Sequence, residues 1–556
     1  MKRIKLILCG LFLFSPLFLL FPLVSKAETG VLSHITTDTT WSITGSPYLI
    51  FNPIIIQSGA TLTIDAGVVV KFPPATSLNL LGNLVVNGDA NNPVVFTSYS
   101  DDTIAGDSNG DGNVSPPNIG WKGLLFNAGS NGNIQFTEIR YGGGNNLLTH
   151  QSAIINYGGL LSIADSKILD STVMGISNLL GTTTVRAVEF KNGGSMNLYD
   201  GALDVQNTTI DGTGGYGIFV RHGKVNIENV VINNSFSPIY FSLNGPIDFT
   251  YNNIQGTGNA ENGINFDGTL LSNLILNPEG IPYIFHGFIV ESGVDLTINS
   301  GVVAKMYGGI WTRGTLNVSG TQSEPVHFTS VRDDSVGGDT FNDGNATVPQ
   351  TRDWDAIVAM SGGTVNINHA DIAYGGRQRY YNFRNHVIIN DGGAMFLDSI
   401  KLHDNEQGYF GGMGSTTILN SVIANGVEGL LFSNGSLDVH NSSIYSNLDT
   451  FLGAPLVNAE NNWWGDASGP SSTANPSGTG SFVSGNVDFT PWLNAPPSQT
   501  QTIDPVIIIP GVMGSAYKSG AWVIDPIFHV YDNLIETLEA NGYVKDTNLF
   551  PFGYDW

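Results

Sequence analysis

The residues best placed to do chemistry in this chain are carboxylates gathered in two glycine-rich stretches. Asp107-Ser108-Asn109-Gly110-Asp111-Gly112-Asn113 sets oxygen side chains at alternate positions, then supplies glycine for a sharp turn. Calcium takes such a flexible cage of oxygens, so Asp107, Asn109 and Asp111 are expected ligands of a structural Ca2+ stapling a surface loop. A twin stretch, Asp339-Thr340-Phe341-Asn342-Asp343-Gly344-Asn345, offers Asp339 and Asp343 but has Phe341 where a ligand is expected. Asn118 stands where a calcium loop has its bidentate glutamate. The match is therefore partial, and a solvated turn is the alternative.

Other candidates are weaker. Asp101-Asp102 and Asp333-Asp334 are paired carboxylates, but they lie in the same insertions and not in strands. Gly106-Asp107-Ser108-Asn109-Gly110 spells G-x-S-x-G, yet a nucleophile elbow needs a strand before it and a helix after it. Its twin carries Thr340 in place of the serine, so no nucleophile is assigned. Arg221-His222-Gly223 reads as a turn, and the 10 histidines show no metal-ligand spacing. Arg377, Arg379, Tyr380 and Tyr381 share one loop whose guanidinium and ring faces suit a surface glycan or a docking domain. A loop packed over the body is the alternative.

These residues must be positioned by repeating elements. At the coarse level the chain is duplicated with an offset of about 233 residues. Ser58-Gly59-Ala60-Thr61-Leu62-Thr63-Ile64 returns as Ser292-Gly293-Val294-Asp295-Leu296-Thr297-Ile298. Trp121 returns as Trp354, and Tyr141-Gly142-Gly143 as Tyr374-Gly375-Gly376. At the fine level the period is about 22 residues: a glycine, then apolar residues four and nine positions on. Gly159 leads to Ile163 and Ile168, Gly201 to Val205 and Ile210, Gly414 to Ile418 and Ile423. Between them apolar and polar residues alternate, as in Val225-Asn226-Ile227, which is strand periodicity.

Short β-branched strands in coils of this length predict an all-β, right-handed parallel β-helix, each coil advancing about 4.8 Å. Roughly nineteen coils between Tyr48 and Trp463 would give a rod on the order of 90 Å long. Asn207 and Asn229 share one coil position, as do Asn420 and Asn441; Asn tolerates the left-handed backbone and can bond along the stack. Asn461-Asn462-Trp463-Trp464-Gly465, followed by Gly469-Pro470, resembles the closing segment of bacterial pectate-lyase-like β-helix proteins. That resemblance covers residues 31–493 and implies a fold, not an activity.

Lys2, Arg3 and Lys5 precede an apolar run from Leu6 to Val24, closed by Ser25-Lys26-Ala27. This is the layout of a secretory signal peptide over 1–27, with an uncleaved anchor as the alternative. Secretion or cell-surface display follows, and membrane contact only if the segment stays uncleaved. Cys9, the single cysteine, lies inside this run, so the mature chain has no disulfide. The formal charge of −25 argues against nucleic acid as a partner, because such a surface repels phosphate backbones and anionic lipids.

Expected boundaries are 28–265 and 266–493 for the two halves of the β-helix and 494–502 for a linker. In residues 503–556 the pattern changes. Val506-Ile507-Ile508-Ile509 reads as a strand buried on both faces, and Pro510 to Ser515 as a turn. Ile527, Val530, Tyr531, Leu534, Ile535 and Leu538 lie on one face of a helix. Strand, turn, helix and strand begin an α/β domain. Pro505 to Gly511, Gly514-Ser515, Trp522 to Pro526 and Tyr554-Asp555-Trp556 resemble the lecithin:cholesterol acyltransferase-like branch of the α/β-hydrolases.

The resemblance implies a lipid or ester hydrolase or O-acyltransferase, with the Val512 backbone N–H as an oxyanion-hole donor. In that family the nucleophile, acid and histidine follow the Tyr-Asp-Trp strand, so none is assignable here; Asp525, His529, Asp532 and Asp555 have no nucleophile to serve. The stop at Trp556 inside a strand-like run is read as a truncated frame. Three functions follow in order: a parent enzyme of lipid metabolism carried on the rod, a carbohydrate-binding or adhesive rod, and a polysaccharide lyase or hydrolase. The last needs a carboxylate–basic cluster on one sheet, which no motif supplies.

Overall fold

The structure, a computed structural model, describes residues 28–112, 120–144, 151–212, 214–377, 385–424 and 428–497, and parts of 506–553. Residues 28–488 form a parallel β-helix in which the chain winds through three strands per coil. One coil runs through Leu160–Ala164, Lys167–Leu169 and Met174–Asn178; the next through Thr182–Arg186, Glu189–Lys191 and Met196–Leu198. Each strand pairs in parallel with its equivalent one coil on: Leu160 with Thr182, Lys167 with Glu189, Ile176 with Met196. Further on Thr182 pairs with Ala202 and Ala202 with Lys224, so the coil length agrees with the fine repeat.

Alternation fixes which side chains fill the rod. Ile163, Ile168, Val205, Ile210, Ile418 and Ile423 are all fully buried, as their spacing from the leading glycines predicts. They belong to one continuous apolar core running from Val31 to Phe489. The leading glycines stack as well. Gly414 has φ +88°, and a Cβ there would lie 2.2 Å from the Gly393 carbonyl of the coil above. The Asn column also forms: Asn207, Asn229 and Asn253 sit at φ 51°, 53° and 56°. Asn253 Nδ2 donates to Asn229 Oδ1 at 2.9 Å, and Asn229 to Asn207 at 3.3 Å.

The expected coil count needs correction. Insertions lengthen four coils: Asn83 pairs with Asn131 and Asn131 with Leu160, while Thr315 pairs with Thr364 and Thr364 with Ala394. About sixteen coils thus separate Tyr48 from Trp463, for a rod on the order of 75 Å. Trp121 and Trp354 anchor the two long insertions. Both are fully buried, donating Nε1–H to the Arg140 and Ala373 carbonyls at 2.8 and 2.7 Å.

The two halves do not join in phase. Among the described residues no ladder connects Ile247–Gln255 to Leu274–Leu276, although every other step of that stack is laddered. Tyr251 bridges the gap: its hydroxyl accepts from Asn277 N at 2.7 Å and donates to the Ile275 carbonyl at 3.3 Å. A crevice of about 410 Å³, walled by Phe249, Tyr251, Leu274 and Ile275, remains between the strands. On the neighbouring sheet the register slips. Phe266 pairs with Phe285 but Asp267 with Gly287, leaving His286 as the extra residue of a bulge.

Residues 503–556 depart from expectation. Val506–Ile508 pairs in parallel with Leu549–Pro551, as an α/β crossover requires. Ile508 is buried, but Ile507 and Ile509 are 62% and 66% exposed, so the strand is covered on one face only. Ser515–Lys518 and Ala521–Ile524 form an antiparallel hairpin that the sequence pattern did not announce. Ile535 N bonds to the Tyr531 carbonyl at 3.0 Å, one helical turn of the anticipated helix.

Candidate functional site

The bulge lies on a face lined with aromatic and polar side chains. Asn197, Phe219, Tyr240 and Asn265 occupy one outward column of consecutive coils. Their strand neighbours Ile218, Val220, Ile239, Phe241, Ile264 and Phe266 are buried, so alternation pushes the aromatic residues to the outside. Tyr216 and Phe219 lie 4.5 and 6.2 Å from Tyr240 between ring centroids. His286 continues the line, 5.5 Å from Tyr240 and 4.9 Å from Tyr307. Phe341 closes it, 6.3 Å beyond Tyr307, and at the other end Arg221 lies 5.2 Å over the Tyr199 ring. Phe219 stacks on Tyr240 and His286 on Tyr307, while Tyr216 with Tyr240, Tyr240 with His286 and Tyr307 with Phe341 meet tilted or edge-on.

Polar groups converge on His286. Its Nε2 lies 2.6 Å from Asn265 Oδ1 and 3.5 Å from Glu261 Oε2. Asn265 donates through Nδ2 to Ser237 Oγ and the Gly263 carbonyl, so its Oδ1 must accept and His286 Nε2 must carry the proton. In the neutral imidazole His286 Nδ1 is then the acceptor nitrogen. Glu261 is 4% exposed and also meets Tyr307, whose hydroxyl is pushed above the ordinary phenol range by burial and by that carboxylate. Tyr240 is pushed up by burial and by Asp267, to which its hydroxyl donates at 3.3 Å. Carboxylate, imidazole, amide and phenols thus meet on one sheet face. This group is not legible in the sequence, because its members come from five separate segments and the bulge that presents His286 has no motif.

The two acidic loops assemble as twins, with a different ligand set from the one expected. Asp102, Asp107 and Asp111 each bring a carboxylate oxygen within 4.8 Å of the others, and so do Asp334, Asp339 and Asp343. Asp102 and Asp334 were not among the expected ligands. Asn109 was, but it bonds to Asp111, Nδ2 to Oδ2 at 2.7 Å. Burial and its acidic neighbours push Asp102 above the usual carboxylate range. Backbone N–H groups, Gly344 foremost, hold Asp339 below it. Each loop is latched by a buried lysine. Lys71 donates to the Asp101 and Gly106 carbonyls at 3.0 and 2.6 Å, and Lys305 donates to Thr340 Oγ1 at 2.7 Å and to the Gly338 carbonyl. Burial pushes Lys305 down to about 8. Phe341 faces Tyr307, and the Thr340 carbonyl accepts from Asn262 N at 2.7 Å. The second loop therefore buttresses the Glu261 segment.

The remaining expected site residues are dispersed. Arg377 is committed to the rod: Nε donates to Asp355 at 2.8 Å and a second nitrogen to the Tyr307 carbonyl. Arg379, Tyr380 and Tyr381 lie outside the described residues, as do Val512, Asp525, His529, Asp532 and Asp555. Arg221-His222-Gly223 is a turn as read, with His222 Nδ1 3.4 Å from Asp200.

Comparison with known proteins bears on the fold. Residues 33–160 match the family described as Pectate-lyase like beta helix domain. No curated protein matches the chain. Among solved structures, the crystal structure of an alginate lyase from Paenibacillus sp. str. FPU-7 aligns with 78% of this chain and 93% of its own, at 10% identity and a TM-score of 0.15. A superposition that loose carries no argument about activity. Residues 28–488 are a parallel β-helix whose first part is similar to a pectate-lyase-like domain, and nothing in these comparisons speaks for a hydrolase in residues 503–556.

Proposed function

We propose that this is an exported carbohydrate-binding β-helix whose ligand, a glycan chain, lies along the face where the two halves meet. The observation that carries this reading is the outward line from Tyr199 to Phe341, flanked by the half-buried Asp267 and His286, with Asn265 and Glu261 buried behind them. A line of aromatic rings beside carboxylates matches a sugar polymer, which offers C–H faces and hydroxyls at regular steps. Sites at the junction of two structural units are the common place for ligands. The full chain on a broad glycan array should bind a defined set of polysaccharides, and Tyr240→Ala should weaken that binding at least about tenfold. An array with no bound glycan would sink the reading.

Two narrower readings have their own support. Cleavage of the bound chain is favoured by the tautomer of His286, which leaves Nδ1 as a base oriented from behind by Asn265 and Glu261. New reducing ends or unsaturated products, absent in His286→Ala, would be its signature. An ester-processing module in residues 503–556 is favoured by the parallel pairing of Val506–Ile508 with Leu549–Pro551. In that reading the parent protein hydrolyses or transfers acyl groups, with Val512 serving the oxyanion.

The acidic loops are proposed to hold structural Ca2+, one ion each. Calcium should raise the melting temperature. Asp111→Ala or Asp343→Ala alone should remove part of the shift, and the double variant all of it. An unchanged melting curve in wild type at millimolar Ca2+ would dismiss the ion.

A further inference from the structure

Charge decides which glycan this face can take. We propose that its ligand is an amine-bearing polysaccharide, whose ammonium groups are received by Asp267, Glu261 and the surrounding phenol oxygens. The proposal rests on the glycan-binding reading above and narrows it to a substrate class.

Acceptors outnumber donors along the strip. Asp267 and the hydroxyls of Tyr216, Tyr240 and Tyr307 offer oxygens, while His286 Nε2–H is already directed at Asn265. Nearby guanidinium groups are paired: Arg332 with Asp353 at 2.7 Å and Arg377 with Asp355 at 2.8 Å. Arg221, at the far end, stands over Tyr199.

A second observation points the same way. Glu261 is 4% exposed; its carboxylate meets the Tyr307 hydroxyl, but its Oε2 has no hydrogen-bond partner, although it lies 3.5 Å from His286 Nε2. A buried carboxylate oxygen without a donor is costly, and an ammonium brings three N–H donors with the matching charge. Beyond the strip, a formal charge of −25 draws cationic polymers toward the rod and repels polyuronates.

The test uses the full chain and three oligosaccharide probes of equal length: a chitosan oligomer, its fully N-acetylated counterpart and a polyuronate. The chitosan oligomer should bind, with affinity falling as salt is raised. The N-acetylated form should bind at least about tenfold more weakly, since it loses charge-assisted hydrogen bonds, and the polyuronate should not be retained. Asp267→Asn and Glu261→Gln, tested separately so that either can report if the other misfolds, should each reduce the preference for the amine form. Equal binding of the N-acetylated form, tight binding of the polyuronate, or an undiminished preference in both variants would overturn the amine assignment while leaving the glycan reading intact. No binding of any of the three, with an empty glycan array, would remove both.

Discussion

At the scale of single residues, the clearest electrostatic feature lies away from the proposed site. His403 is bracketed by two carboxylates, Nε2 at 2.6 Å from Asp371 and Nδ1 at 2.6 Å from Asp404. The bond to Asp371 raises the imidazole above its ordinary value, with Asp404 adding to it against partial burial. A base whose folded-state value is raised stabilises the fold below its unfolded value, near 6.5, and loses that contribution as pH climbs through the folded value. His403→Ala should therefore cost more stability at about pH 5.5 than at about pH 9, as read by urea midpoints at both. An equal cost at both would mean that the imidazole contributes packing alone. The Asp371–His403 pairing was invisible in the sequence, where the two residues are 32 apart, because only the coil stacking brings them together.

At the scale of elements, the strands and corners were the most legible part of the chain. Glycine, then apolar residues at four and nine, encodes a corner and two inward positions, and each of those positions is buried. The reason is physical: a strand has a period of two, and a corner this tight admits no side chain. Gly414→Ala should thus be far more damaging than Gly59→Ala. Both glycines have positive φ, +88° and +85°, but a Cβ at Gly59 meets nothing within 4 Å while one at Gly414 meets the Gly393 carbonyl. Gly59→Ala should cost only the backbone strain, about 1 kcal/mol, and Gly414→Ala at least about 2 kcal/mol more. Comparable melting temperatures for the two variants would contradict this account of the corner. What the sequence concealed were departures from the repeat. Neither the missing ladder at Tyr251 nor the bulge at His286 has a residue signature, and both depend on how one half meets the other.

At the scale of the whole molecule, a solenoid touches only its neighbours, so damage should stay local. Ile367 is fully buried between Val318 and Leu397. Ile367→Ala should lower stability by about 2–5 kcal/mol. Amide exchange should rise in Thr315–Ser319 and in His386–Asp398, while Thr61–Asp65 and Asn83–Asn87 keep their protection. Uniform loss along the rod would show instead that it melts as one unit. The duplication and the change of character after residue 494 could be read without coordinates, because each is a matter of composition or order. The proposed site could not, since it exists only where two copies of one pattern fail to superimpose.

That misfit has a consequence for stoichiometry. Tandem copying doubles whatever lies inside a copy, and the acidic loops are accordingly present as a pair. The face that joins Tyr240 to His286 draws on both halves and arises at their single junction. On the readings proposed above, a molecule built from two like halves would be asymmetric in what it binds: two equivalents of cation, but one of glycan, held at mid-rod where neither half alone could provide it.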